Sequence, residues 1–390
     1  MKVLMLVQSP VAGDSRVLRE AATLTAEGHS VHIVGRDVPD GFDPGDDVTV
    51  ESVTRSRGMR PPGTPRGVGV ALASSSGPKA LVRRAGRWLL LPEHRERTER
   101  RWRDDAARLL AGRPAHDVVH AHDFNTLALG ADLARQWSAK LVYDSHELWF
   151  DRGLPGRPTP LARWRGRRSE TRLAGQARVV LTVSEGIAAR LRGRGLPDVR
   201  VVRNTFPLAE HEPPELPDQP AGFAYAGRIG PGRDLEAVVG AAARLPSLRT
   251  VVAGPADPGY RLDTTGVEVL PPMPLPEVDR LYQEVGVAVV TLTDTCANHR
   301  LALPNKLFHA VRAGVPVVAA NLPELHAFVL RYGLGRLYVP GDASSLATAV
   351  EAVASGYTGY VEAVGKARLQ LAWEHDSRVL AGVYADLGTA

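Results

Sequence analysis

The chain has 390 residues, more than one hydrophobic core usually serves, so two domains of about 150 to 200 residues are expected. Its 48 lysines and arginines against 43 acids leave a net charge of +5, which favours anionic partners, whether phosphate-bearing small molecules or an acidic membrane surface, without choosing among them. The one cysteine, Cys296, excludes an internal disulfide framework and fits a reducing cytoplasm, and no apolar run approaches the roughly 20 residues of a membrane span.

The opening MKVLMLVQSPVAGD carries one lysine and a short apolar run without a small-residue cleavage site, and is read as a first strand. From there strand-like runs alternate with helical patterns: KVLMLV, a helix over 15–27, SVHIVG, DVVHAH, a helix over 125–136, AKLVYDSH and ARVVLTVS. Strands separated by crossover helices predict a doubly wound parallel sheet. Residues 54–80 are rich in Gly, Pro, Ser and Arg and predict a mobile loop. The basic stretch 79–110 that follows surrounds Trp88 and Leu89 to Leu91. It is read as a solvated helix covering the sheet, with a membrane-surface helix facing anionic lipid through 83–103 as the alternative.

Residues 206–220 include the Pro- and acid-rich run PLAEHEPPELPDQP and form the best linker candidate. The alternation then restarts with GFAYAGRI, a helix over 234–244, LRTVVAG, VEVLPP, a helix over 276–284, VGVAVVTL, a helix over 305–313, VPVVAA and a helix over 344–354. These predict a second parallel α/β domain. The halves show no close sequence repeat.

In doubly wound sheets ligands bind where strand ends turn into helix starts, and that rule selects a few loops. In YAGRIGPGRDLEAVV, Gly227, Gly230 and Gly232 allow close backbone approach, Arg228 and Arg233 suit phosphate, and Asp234 is placed to cap a helix. The spacing is not GxGxxG, and glycines also serve tight turns for steric reasons alone. In ALPNKLFHAVRAG, Pro304 is compatible with a helix start and Asn305 and Lys306 enter its first turn. A lysine there opposes the helix dipole unless an anion is bound. On the first half, GDSRV, HAHDF and DSHEL fall at strand ends, and His120 and His122 share one side of their strand, either as functional groups or as satisfied polar residues. Neither HAHD nor DSHE is HExxH, and a single cysteine gives no thiolate pair, so no metal is expected. Interleaved acids, as in EHRERTERRWRDD, and the lack of an aromatic platform speak against nucleic acid.

GDSRVLREAATLTAEGHSVHIVG, VVHAHDF, LVYDSHEL, VSEGIAARL, VVRNTF, YAGRIGPGRDLEAVV, ALPNKLFHAVRAGVPVVAA and WEHDSRVLAGVYADL follow one another in an order that resembles family four of the GT-B glycosyltransferases, the retaining, nucleotide-sugar-dependent group of glycosyl transferases group 1. The resemblance covers almost the whole chain. It implies an α/β GT-B fold of two Rossmann-like doubly wound parallel-sheet domains facing each other across a cleft. Residues 1–205 would form the acceptor side, with helix 373–390 packing back on it, and 221–372 the donor domain.

By that resemblance Arg228 and Arg233 hold the donor pyrophosphate, Arg233 standing where the family has a lysine, and Lys306 joins them. His122 lies near the donor sugar. Gly13, Gly227, Gly230, Leu303, Pro304, Asn305 and His309 line the donor, and Asp14, Arg16, Asp144, His146 and Glu147 lie on the acceptor side. The family's two glutamates, eight positions apart, are Leu301 and His309 here, and an imidazole is able to replace the second as a hydrogen-bonding group on the ribose. The resemblance implies transfer from a nucleotide diphosphate sugar to a hydroxyl acceptor such as a cell-envelope glycan, a glycolipid or a secondary metabolite. It implies no cofactor and no metal, and a cytoplasmic location with peripheral contact to the inner membrane face through 83–103 as an option. Two rival readings are a nucleotide-sugar epimerase of the same fold and a non-catalytic GT-B partner subunit, the latter suggested by Leu301 and His309.

Overall fold

The structure is a computed structural model that describes residues 1–45, 47–53, 100–153, 159–196, 198–208 and 216–389. The described residues fall into two compact units, one containing those up to Val202 and those from Ser377 onward, the other Arg203–Asp376.

The first unit holds a seven-stranded parallel sheet. Its strands are β1 (Lys2–Leu6), β2 (Ser30–Arg36), β3 (Val48–Val53), β4 (Val118–His122), β5 (Lys140–Ser145), β6 (Val179–Thr182) and β7 (Val199–Val201), in the spatial order 3-2-1-4-5-6-7. Leu4 on β1 aligns with His32 on one side and Val119 on the other. Val3 through Leu6 are fully buried, because helices cover both faces of the sheet and leave no position for polar alternation. The order reverses between β1 and β4, so the loops after those strands open at the switch point where this fold class binds ligands.

The second unit holds a six-stranded parallel sheet of β8 (Gly222–Ala226), β9 (Arg249–Ala253), β10 (Glu268–Leu270), β11 (Gly286–Val290), β12 (Val317–Ala320) and β13 (Gly335–Tyr338), in the order 10-9-8-11-12-13. Ala224 aligns with Val251 and with Ala288, which puts the reversal between β8 and β11. The glycine-rich loop after β8 and the loop leading from β11 to Asn305 therefore share the switch point.

The helices form for readable local reasons. Asp14 starts Ser15–Ala26 by accepting from the Val17 amide, Ser184 does the same for Ile187, and Asp342 accepts from Ser344 and Ser345 at the start of Ala343–Ser355. Each such cap stabilises its helix by about 1 kcal/mol. The helix Asn305–Ala313 stops at Gly314, whose φ of 80° is open to glycine and closed to most side chains.

The predicted helices are present within a residue or two. Several elements were not anticipated, among them β3, β7, β13 and the helices Pro160–Ala174, Ala297–Leu301, Pro323–Tyr332 and Tyr357–Arg368. β13 begins at a glycine with φ 153°, where a side chain would collide with the Val317 backbone. The expected loop 54–80 and residues 83–99 of the basic segment lie outside the described residues. From residue 100 that segment is helical through 110, with Trp102, Ala106 and Leu110 buried at helical spacing, as in a helix lying on a sheet. Part of the expected linker, 209–215, is likewise undescribed. Its first residue, Phe206, is instead buried in the core of the second unit, because the segment pairs with Ala372 and Trp373. In the helix Trp373–Thr389 the residues from Ser377 onward belong to the first unit.

Candidate active site

The glycine-rich loop after β8 is fixed by its own backbone. The Tyr225 hydroxyl donates to the Arg228 carbonyl at 2.6 Å, the Ile229 amide to Pro255, and the Asp257 amide back to Ile229. Thr293, after β11, donates its amide to the Gly232 carbonyl at 3.3 Å, tying together the two loops of the switch point. His299 donates from Nδ1 to the Thr293 carbonyl at 2.8 Å and sits against Gly232. Gly227 has φ 153°, and a Cβ there would lie 3.4 Å from the Lys306 ammonium and 3.3 Å from the Tyr225 hydroxyl, so glycine keeps this spot open.

Lys306 enters the first turn of Asn305–Ala313, where backbone N–H groups lack helical partners. It is 7% exposed, with its Nζ 4.8 Å from the Tyr225 ring centroid. Burial, aided by repulsion from Arg233, lowers its pKa to about 7. Among the described residues neither Lys306 nor Arg233 meets a carboxylate. Two neighbouring cations with no ion pair of their own among the described residues, Arg233 feeling the Asp257 carboxylate only at a distance, stand beside a helix start and an open glycine, an arrangement suited to a polyanion.

Arg228 is differently placed. It is 58% exposed and bidentate on Asp257 at 2.6 and 2.5 Å, a pairing that holds the Asp257 carboxyl below its usual range. A phosphate reaching Arg228 must compete with Asp257, a residue that sequence reasoning missed although it follows β9 at a strand end. A side chain on Gly230 would overlap that carboxylate.

The remaining donor-side residues divide. Pro304 sits at the N-cap position and Asn305 is exposed, its Oδ1 accepting from Asn204 at 2.8 Å. Leu303 is 5% exposed, its side chain packed into the core of the second unit. His309 is half-buried with its ring edge-on to Phe206 at 4.4 Å, and Leu301 ends the short helix Ala297–Leu301. Asp234 stands at the N-cap of Leu235–Ala242 without capping it. Its carboxylate accepts instead from the Tyr338 hydroxyl at 2.7 Å and the Gly341 amide at 2.9 Å.

The first unit gathers a second cluster around Asp144, which is fully buried. Arg16 donates to both of its oxygens at 2.8 Å, to the Val202 carbonyl at 2.8 Å, and pairs with Glu20 at 3.0 Å. His146 Nε2 donates to Asp144 at 2.8 Å, and His122 Nδ1 lies 3.3 Å from the same oxygen. Although burial disfavours its charge, Arg16 and His146 hold Asp144 well below the usual carboxylate range. Against the cost of burial, Asp123 and Asp144 push His146 up to about 10. Burial raises Glu20 to about 8 and Asp123 to about 6, and keeps His120 and His122 neutral by lowering both. His122 Nδ1 also lies 3.2 Å from His146 Nε2, and His122 Nε2 is buried with no hydrogen-bond partner among the described residues.

Glu20, His120, His122 and Asp144 bring potential metal-ligand atoms within 4.8 Å of one another. Arg16 already supplies positive charge to both carboxylates, so the residues present fit an internal ion-pair network better than a resident cation. His120 is anchored from the far side by the Tyr384 hydroxyl at 2.9 Å and stacks on His122 with centroids 4.4 Å apart.

The residues expected on the acceptor side are thus only partly available. Arg16 and Asp144, 2% and 0% exposed, are occupied with each other, and Asp14 caps a helix. Gly13 is exposed, with no atom within 4 Å of a Cβ, and half-buried His146 and Glu147 follow β5, Glu147 paired with Arg152 at 2.7 Å. Glu20 and Tyr384 were not anticipated. The four-residue step from Arg16 to Glu20 was a usable signal, while Tyr384 had none.

Comparison with known proteins accords with this geometry. The profile of the Glycosyl transferase 4-like domain matches residues 13–205 and that of Glycosyl transferases group 1 matches residues 222–355. A curated D-inositol 3-phosphate glycosyltransferase of Thermobifida fusca (strain YX) is 26% identical, over 58% of this chain and 58% of that protein. Among solved structures, a sucrose-phosphate synthase from Thermosynechococcus elongatus superposes with a TM-score of 0.72 at 17% identity, covering 100% of both chains. Anabaena HepE in complex with UDP-glucose gives 0.64 at 16% identity, covering 99% of this chain and 100% of that one. With two switch-point sheets of the same doubly wound type and family profiles across both units, the chain belongs to the GT-B glycosyltransferases of family 4.

Proposed function

We propose that the protein is a retaining glycosyltransferase that moves a sugar from a nucleotide diphosphate sugar to a hydroxyl acceptor, with the donor diphosphate held by Arg233, Lys306 and the start of the helix Asn305–Ala313. The observation that carries this reading is the pair of neighbouring cations, neither in an ion pair among the described residues, at the switch point of the second sheet. As the glycosidic bond lengthens, negative charge grows on the leaving phosphate, and cations already in place stabilise it without reorganising. Arg228 joins once the diphosphate displaces Asp257. No protein nucleophile is assigned, and attack from the face the leaving phosphate vacates accounts for retention.

The reading is metal-independent, since Arg233 and Lys306 supply the positive charge that a divalent ion would otherwise bring. His122, His146 and Glu147 are assigned to the sugar and acceptor, with Asp144 and Arg16 positioning His122. UDP-sugars are the first donors to test, because similar structures hold UDP and UDP-glucose. A panel of UDP-, GDP- and dTDP-sugars, scored by thermal shift and by diphosphate release with and without EDTA, tests the proposal. Stabilisation by one nucleotide with EDTA-resistant release is expected, and NMR of the product then reads the anomeric configuration. No shift from any nucleotide contradicts the donor site, and a sugar changed without acceptor indicates epimerisation instead.

A further inference from the structure

The helix Pro160–Ala174 has a composition that the sugar-transfer site does not use. Thr159 caps it by accepting from the Ala162 amide at 3.0 Å. Its inner face is committed: Gly166 packs so closely on Phe150 that a Cβ would overlap the ring, Arg167 pairs with Asp151, and Glu170, the helix's one acid, is buried between the Tyr143 hydroxyl and Arg194 at 2.9 Å each. The outer face is Leu161, Trp164, Arg165, Arg168 and Arg172, all exposed and spaced three, four, seven and eleven residues from Leu161. Leu161 and Trp164 are 56% and 55% exposed, two of the largest apolar side chains left open to solvent. The Arg168 guanidinium lies 5.7 Å from the Trp164 ring centroid. No acid stands on this face.

We propose that this face docks the protein on an anionic lipid surface. A basic surface face docks on anionic lipid when its arginines meet lipid phosphates and exposed aromatic and aliphatic side chains beside them enter the headgroup boundary. Here Trp164 and Leu161 sit at the N-terminal end of the stripe and three arginines continue it, so one contact satisfies both. The helix also packs on the turn Trp149–Asp151, separated from His146 and Glu147 by Leu148 alone, and docking therefore brings the acceptor-side loop near the lipid. The inference concerns the described helix and not residues 83–99, and it does not depend on the sugar-transfer reading.

The test is co-sedimentation of the full chain with phosphatidylcholine vesicles and with an equal mixture of phosphatidylcholine and phosphatidylglycerol. Wild type is expected to pellet with the anionic vesicles only, and less so as salt rises. The combined variant Trp164→Ser, Arg165→Glu, Arg168→Glu should partition about tenfold less or lower, and Arg83→Glu with Arg84→Glu should bind as wild type does. If the combined variant fails to fold, Arg168→Ala alone should weaken partition about three- to fivefold. Wild type remaining in the supernatant with anionic vesicles overturns the proposal, the face then serving an acidic protein or nothing. So does binding lost through Arg83 and Arg84 and unchanged by the helix variants.

Discussion

The Lys306 ammonium lies 4.8 Å from the Tyr225 ring centroid, against the open face of Gly227, and is repelled by Arg233. A buried lysine beside a like charge is costly to hold, and an arriving diphosphate relieves that cost. Lys306→Ala is therefore expected to lower kcat/KM by about 100- to 1,000-fold, the range seen when one preorganised group facing developing charge is removed. Steady-state kinetics with the donor found by the nucleotide panel check this.

The same arrangement sets a pH dependence. With a pKa of about 7 in the free protein, Lys306 is charged below that pH and mostly neutral above it. A bound diphosphate favours the charged form, so binding above pH ~7 takes up a proton. The Kd for nucleotide sugar should be flat below neutrality and rise above it by at most about tenfold per pH unit. Lys306→Arg should abolish the rise, since guanidinium stays charged throughout.

Asp257 and Arg228 form the competing pair. Asp257→Asn releases Arg228 for phosphate, and nucleotide-sugar affinity should increase by about two- to fivefold, because a solvent-exposed pair contributes no more than about 1 kcal/mol. Calorimetric titration of the variant measures it, and unchanged or weaker binding would remove Arg228 from the phosphate site.

The Asp144 cluster predicts stability effects. Arg16→Met leaves a buried carboxylate without its main partner and should cost about 3–5 kcal/mol, read from urea unfolding. Glu20 at about 8 and His146 at about 10 both bind protons more tightly in the folded state than in the unfolded chain. Their favourable contribution is lost as pH rises from the unfolded values through about 8 and then about 10, so melting temperature should fall across that window. Glu20→Gln should flatten the first part of the fall. Asp144, depressed, acts oppositely and destabilises the fold as pH drops below the normal carboxylate range.

Much of this was legible along the chain because it is written in contiguous stretches. Gly227 to Asp234 and Pro304 to Gly314 each mark a turn and a helix start within a dozen residues, and strand runs such as VGVAVVTL need no distant partner to be recognised. What stayed hidden is contact across sequence. Asp257 takes Arg228 from 29 residues away, Asp144 takes Arg16 from 128, and Tyr384 reaches His120 from 264. Arg16 and Asp144 thus read as acceptor-side groups, although burial turns them into each other's partners. Burial was equally hidden in ALPNK, where the side chains of Leu303 and Lys306 both turn inward and Asn305 alone is exposed.

The claim that Arg233 and Lys306 form the donor diphosphate site is tested most directly by titrating the preferred nucleotide sugar, at pH 6.5, into wild type and into Arg233→Ala, Lys306→Ala and the double variant. Each single variant should bind at least about tenfold more weakly, and the double variant should show no measurable binding while keeping the wild-type melting profile. Wild-type affinity in the double variant would contradict the account and place the donor elsewhere.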